Sequence, residues 1–236
     1  MRVSPSVCLL ALTSWAAAGG ATTDASPAEA LTALISRAGE VKIETHAGSE
    51  YETAAETYRT LLEELAELDR DELKGDDAVD AGLLEAHLET RLFEIEQLEL
   101  YRLQPIRYLA LGKTDNLFVR PCTLPDKAVA DARDELLELP EVLANARQNL
   151  TRPARTWTEN ALYTAYYAES MLADELDTVC VDDPALKDEL LEAGQEALQA
   201  VRDYSAWLQE ELLARSGRSP AWNPEEIVFY QFELES

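Results

Sequence analysis

Apolar residues recur every three or four positions along most of this chain, the period of an amphipathic helix. From Glu50 to Leu68 the stripe is Tyr51, Ala54 or Ala55, Tyr58, Leu61, Leu62, Leu65 and Leu68, with Ser49 placed to cap it. A polar turn around Gly75 follows. Asp76 or Asp77 then caps a long helix striped by Val79, Leu83, Leu84, His87 or Leu88, Leu92, Ile95, Leu98 and Leu100. The period lapses over residues 102–125, where Pro105, Gly112, Pro121 and Pro125 accumulate. That stretch reads as one long irregular loop, a length uncommon unless the loop packs or functions.

The period returns at about Asp126 and runs to Leu139. Pro140 reads as the first-turn proline of a separate helix to Leu150, where its missing N–H costs nothing. Thr151-Arg152-Pro153 breaks that helix, because the residue before a proline is pushed out of the α region. Thr156 or Thr158 caps the next one, to about Val179, with Glu159 at capping-box spacing from Thr156 and a stripe of Leu162, Tyr166, Ala173 and Leu176. Asp183 and Pro184 form an N-cap and first-turn pair. They open a last long helix to about Ala214, stopped by Gly217. Pro27 opens a short helix near the start. The segment Ser219 to Ser236 carries Trp222, Ile227, Val228, Phe229, Tyr230 and Phe232, too apolar for a solvated tail. The expected fold is therefore all-α: a single domain over 22–236, an antiparallel bundle of about six to seven helices.

The first 21 residues read as a signal peptide. Arg2 supplies the positive start, Val7 to Ala18 the short apolar run, and Ala16-x-Ala18 and Gly19-x-Ala21 the small-residue cleavage patterns. The run is short for a membrane span. Cys8 lies at the start of that run rather than after it, against a lipoprotein cleavage site. The expected location is periplasmic or secreted, with an uncleaved N-terminal anchor as the alternative.

Charge narrows the partners. Acidic residues number 46 against 20 basic ones, for a net charge of −26. Nucleic acid binding needs clustered Lys and Arg, so nucleic acid is not an expected partner, nor is a membrane once the signal is cleaved. A peptide or protein partner is compatible. Lys occurs only at 42, 74, 113, 127 and 187. Self-repulsion keeps such a surface soluble, which suits a salty habitat or an ordinary acidic exported protein. Outside the signal, Cys122 and Cys180 can pair in an oxidising compartment. Their disulfide would close a loop of about 58 residues, worth roughly 4 kcal/mol in the chain-entropy model; two free thiols are the alternative.

Candidate chemistry is sparse. The two histidines, His46 and His87, lie in no HExxH pattern. Position 84, three before His87, is Leu where a di-iron bundle wants Glu. His87 therefore reads as a core or boundary residue and His46 as exposed in a loop. There is no Gly-x-Ser-x-Gly elbow and no phosphate-cradling glycine loop. Pairs such as Glu63-Glu64, Glu94 and Glu96, or Glu210-Glu211 read as solvated helix faces. Asn149-Leu150-Thr151 matches a glycosylation acceptor, relevant only in a eukaryotic route. Trp157, Tyr163, Tyr166 and Tyr167 read as helix–helix core, with an Arg–aromatic ligand surface beside Arg152 and Arg155 as the alternative. No catalytic, cofactor-binding or metal residue is assigned, and no cofactor is expected.

Four segments carry a resemblance. These are Leu65-x-x-Leu68-Asp69 before Asp76-Asp77, Gln104-Pro105-Ile106-Arg107-Tyr108, Leu139-Pro140-x-x-Leu143-x-x-Ala146-Arg147-x-Asn149-Leu150-x-x-Pro153, and Tyr204-x-x-Trp207-Leu208-x-x-Glu211-Leu212. In order and spacing they resemble the bacterial family called domain of unknown function 885. The resemblance implies an exported all-helical protein related to zinc metallopeptidases, whose zinc ligands and general base lie on a His-Glu-x-x-x-x-His-His-type helix in a C-terminal half. No residue here matches that helix, so this chain resembles the N-terminal half. It reads as a non-catalytic module or remnant, or as one half of a split or truncated peptidase whose zinc helix comes from another chain.

Overall fold

A computed structural model describes residues 26–119 and 124–217. Among them the fold is all-α. The long elements are α1 (Pro27–Gly39), α2 (Gly48–Ala66), α3 (Asp76–Glu96), α6 (Asp126–Asn149), α7 (Arg155–Ser170) and α8 (Pro184–Trp207). Short helices α4 (Leu100–Leu103) and α5 (Gly112–Val119) flank a 3-10 turn at Pro105–Leu109, and α9 (Leu213–Arg215) closes the described chain. The described part of the 102–125 stretch is thus a run of short helical turns. It shows no period because none of its elements exceeds eight residues.

Two apolar clusters build the interior. The first joins α1, α2 and α3 through Leu31, Leu34, Tyr58, Leu61, Leu65 and Leu88. The second joins α6, α7, α8 and the 105–109 turn through Tyr108, Leu136, Leu143, Ala165, Leu190 and Tyr204. Close approach in this second cluster rests on small residues: Ala161, Ala165, Ala168, Ala193 and Ala197 are all buried. Gly194 lies under Leu176, where an added Cβ would meet Leu176 Cδ2 at 2.2 Å.

Several local expectations are corrected. α6 runs unbroken from Asp126 to Asn149 with Pro140 inside it. Pro140 costs one backbone hydrogen bond, and burial of Leu136, Leu139, Leu143 and Ala146 along α8 holds the helix through it. Neither Thr156 nor Thr158 caps α7, whose N-cap is Ala154. Thr158 is fully buried instead, its hydroxyl donating to Ala154 O and sharing a 2.8 Å hydrogen bond with Ser216. Glu159 pairs with Arg155 rather than closing a capping box. On α3, Val79 and Leu83 are exposed, and Ala81, Leu84 and Leu88 form the buried stripe.

The aromatic reading of α7 is overturned. Tyr163, Tyr166 and Tyr167 are 75%, 72% and 59% exposed. Alanines form the buried face because α7 lies too close to its neighbours for rings, so the tyrosines fall on the outer side. Trp157 is half-buried. Cys180 is disulfide-bonded. Cys122 lies outside the described residues, as do residues 1–25 and 218–236, which hold the expected signal peptide and the apolar C-terminal segment.

Candidate functional site

The two clusters meet where the loop before α2 is clamped against α6. Three backbone residues there are held by four side-chain hydrogen bonds. Glu50 accepts from Thr45 N at 3.3 Å and from Ala47 N at 3.2 Å. Asn145 donates to Thr45 O at 2.9 Å and Asn149 to His46 O at 2.7 Å. Between them His46 sits at φ 58°, in the left-handed region. A non-glycine residue there carries a steric cost and persists only when its surroundings over-determine it, a situation that clusters at ligand sites.

The His46 side chain is engaged as well. Its Nδ1 shares a 2.6 Å hydrogen bond with the Tyr51 hydroxyl, and its ring lies 5.2 Å from that of Tyr108. Tyr51 stacks on Tyr101 at 4.2 Å. Tyr108 donates to Tyr101 O and accepts from Asn149 at 3.1 Å. Burial, and then the charge of Arg107, push the His46 pKa down. Burial raises the Tyr51 hydroxyl well above the ordinary tyrosine range and pushes Tyr108 up to about 12. At neutral pH the His46 ring and the Tyr51 and Tyr108 hydroxyls are therefore uncharged.

Arg107 stands out among the arginines. Arg37, Arg59, Arg70 and Arg133 each pair with a carboxylate of another segment. Arg147, Arg215 and Arg107 form no such pair among the described residues; the first two lie over the Trp207 ring, whereas the Nε of Arg107 is buried with no hydrogen-bond partner. It lines two cavities. One, of about 290 Å³, is walled by Tyr51, Tyr58, Tyr101, Ile43, Ile95 and Leu100, with Arg91 and Glu94 at its polar end. The other, of about 540 Å³, lies on the far side of Ile43, between His46, Tyr108, Glu135 and Leu139. His87 lines the first cavity with much of its surface exposed, a boundary rather than a core position, while His46, expected to be exposed in a loop, is half-buried.

Three of the four resembling segments converge here. Arg107 and Tyr108 come from the Gln104–Tyr108 segment, and Asn149 from the Leu139–Pro153 segment. Tyr204 donates to Pro105 O at 3.2 Å, and Arg147 lies over the Trp207 ring at 5.8 Å. The glycosylation-type Asn149 thus has its amide committed inside the fold. What sequence reasoning missed was His46: its left-handed φ comes from tertiary clamping, which no local pattern announces. Arg107 was visible only as part of a proline–tyrosine motif. Among the described residues no group of three or more His, Cys, Asp and Glu is placed to hold a metal ion, and no helix is long and apolar enough to cross a membrane. The arrangement suits binding: a lone guanidinium, aromatic walls, and room for a small molecule or a peptide end.

Comparison with known proteins gives two matches. The model of a family described as a bacterial protein of unknown function, DUF885, matches residues 32–236. A solved structure of a candidate lipoprotein of unknown function from Shewanella oneidensis aligns with a TM-score of 0.69 at 17% identity, over 81% of this chain and 38% of that one. At that identity the likeness shows the fold alone, and this chain spans about 38% of the length of that structure. No curated protein gives a significant match.

Proposed function

Because the chain belongs to the DUF885 family of bacterial proteins, we propose that these helices form a ligand-holding, non-catalytic part of a zinc-metallopeptidase-related protein. The relation to zinc peptidases is the one implied by the signature segments. The observation that carries the reading is the cleft at Arg107, whose guanidinium forms no ion pair among the described residues and whose Nε is buried without a partner. His46 commits its Nδ1 to Tyr51 and His87 lines a separate wall, so neither joins a set that would activate water. The proposed setting is the periplasm or the cell exterior, supported by the leader-like first 21 residues and by the candidate-lipoprotein description of the Shewanella protein. The proposed partner is a peptide or protein, since the charge of −26 disfavours nucleic acid. We further propose Cys122 as the partner of Cys180; peptide mapping without reductant is expected to find the two joined. Metal analysis of the purified full chain tests the reading. It is expected to contain no stoichiometric zinc and to hydrolyse no peptide; zinc bound one to one with peptidase activity would sink it.

A second reading is favoured by a separate observation. The chain spans 38% of the Shewanella structure, and α7 presents Tyr163, Tyr166 and Tyr167 outward with no helix over them among the described residues. That face suits further helices, so the zinc helix of a peptidase can be supplied by another chain. Mixing the protein with candidate partner chains would then yield zinc-dependent peptidase activity, and failure across the candidates removes this reading.

A further inference from the structure

We infer that the 290 Å³ cavity beside Arg107 is a site for a small carboxylate with an apolar or aromatic body, either a free acid or the C-terminal residue of a peptide. The inference rests on the ligand-holding reading above and names the ligand class. It begins with an imbalance. The chain carries 46 carboxylates for 20 basic residues, yet Arg107 pairs with none of them among the described residues, and its Nε is buried without a partner. A guanidinium that lines the cavity and forms no ion pair with its own chain among the described residues keeps its charge-assisted donors for a bound carboxylate. A planar, forked donor matches a carboxylate in two parallel hydrogen bonds.

The rest of the cavity selects what the carboxylate is attached to. Tyr51 and Tyr101, stacked face to face at 4.2 Å, form a rigid aromatic flank, and Ile43, Ile95 and Leu100 close the apolar side. Of the carboxylates around Arg107, Glu94 on this cavity is taken by Arg91 at 3.1 Å. On the other cavity Glu44 pairs with Lys42, and Glu135 accepts from Lys113 N and Thr114 N. Neither these nor Glu138 pairs with Arg107 among the described residues. Arg107 shares the lining of this cavity with Tyr51 and Tyr101 and that of the second cavity with His46 and Tyr108, which places the guanidinium among these rings. The clamp on residues 45–47 and the Asn149–Tyr108 hydrogen bond preorganise the wall, so little ordering is left for binding to impose. A volume of about 290 Å³ suits one residue-sized ligand rather than an extended chain.

Isothermal titration of the full chain tests this with N-acetyl-L-phenylalanine, its carboxamide, a tripeptide ending in phenylalanine, and inorganic phosphate. The acid is expected to bind about tenfold or more tighter than the carboxamide, the difference a charge-assisted hydrogen-bonded pair supplies. R107Q is expected to lose the same factor, and R107K to lose part of it. If the tripeptide binds as well as the acid, the site takes a peptide end; if only the acid binds, it takes free acids; both support the inference. Equal binding of acid and carboxamide overturns it, as does no binding of either, or inorganic phosphate displacing the acid at equal concentration. The acid–carboxamide comparison on the unaltered chain decides the matter even where R107Q fails to fold. Zinc or peptidase activity in the chain would defeat the non-catalytic reading without touching this result, so the two failures are distinguishable.

Discussion

His46 concentrates the physics of the site in one residue. Its backbone is held in the left-handed region by Glu50, Asn145 and Asn149, and its ring is held by Tyr51. Burial and the Arg107 charge depress its pKa, and burial depresses that of His87. With folded values below the ordinary 6.5, the unfolded chain binds more protons as the pH falls through that value. Both groups therefore destabilise the fold on acidification and cost nothing above it. Histidine titration by two-dimensional NMR is expected to show His46 below its ordinary value, and R107Q is expected to move it upward. No movement would mean that the guanidinium does not face the ring. This arrangement was not legible in the sequence. A histidine between Thr45 and Ala47 looks like an exposed loop residue until α6 brings Asn145 and Asn149 across from about 100 positions away in sequence.

At the scale of elements, periodic stripes identified the long helices, because residues such as Leu61, Leu65, Leu190 and Val201 are buried at the spacing that makes a helix amphipathic. Local rules failed where tertiary packing outvoted them. Pro140 has the marks of a helix start, yet it lies inside α6, since the burial gained along α8 exceeds the cost of one missing hydrogen bond. Replacing Pro140 by Ala restores the donor and is expected to stabilise the protein by about 2 kcal/mol, the interior-proline cost less the added freedom of the unfolded chain. Thermal unfolding measures it; a lowered midpoint would show that the bundle requires the proline's geometry. Tyr166 misled in the opposite direction. It sits at helical spacing from Leu162, but the close packing of α7 admits only alanines on its inner face, so the aromatic stripe faces out.

For the whole molecule, charge is the dominant feature. With a net charge of −26, the surface repels itself, and the folded state concentrates that repulsion. Raising sodium chloride from about 0.1 M to 1 M shortens the screening length from about 10 Å to about 3 Å. The thermal midpoint is expected to rise over that range. A fall would mean that exposed pairs such as Arg59–Glu96 and Arg70–Glu85 contribute more than the repulsion costs. Against this negative background, a buried arginine nitrogen left without a partner among the described residues stands out, and the site is built around it. The most direct measurement is a crystal structure of the full chain grown with N-acetyl-L-phenylalanine. The carboxylate is expected against the Arg107 guanidinium, with the ring beside the stacked Tyr51–Tyr101 pair. An empty cavity with Arg107 paired to a carboxylate of its own chain would contradict the account.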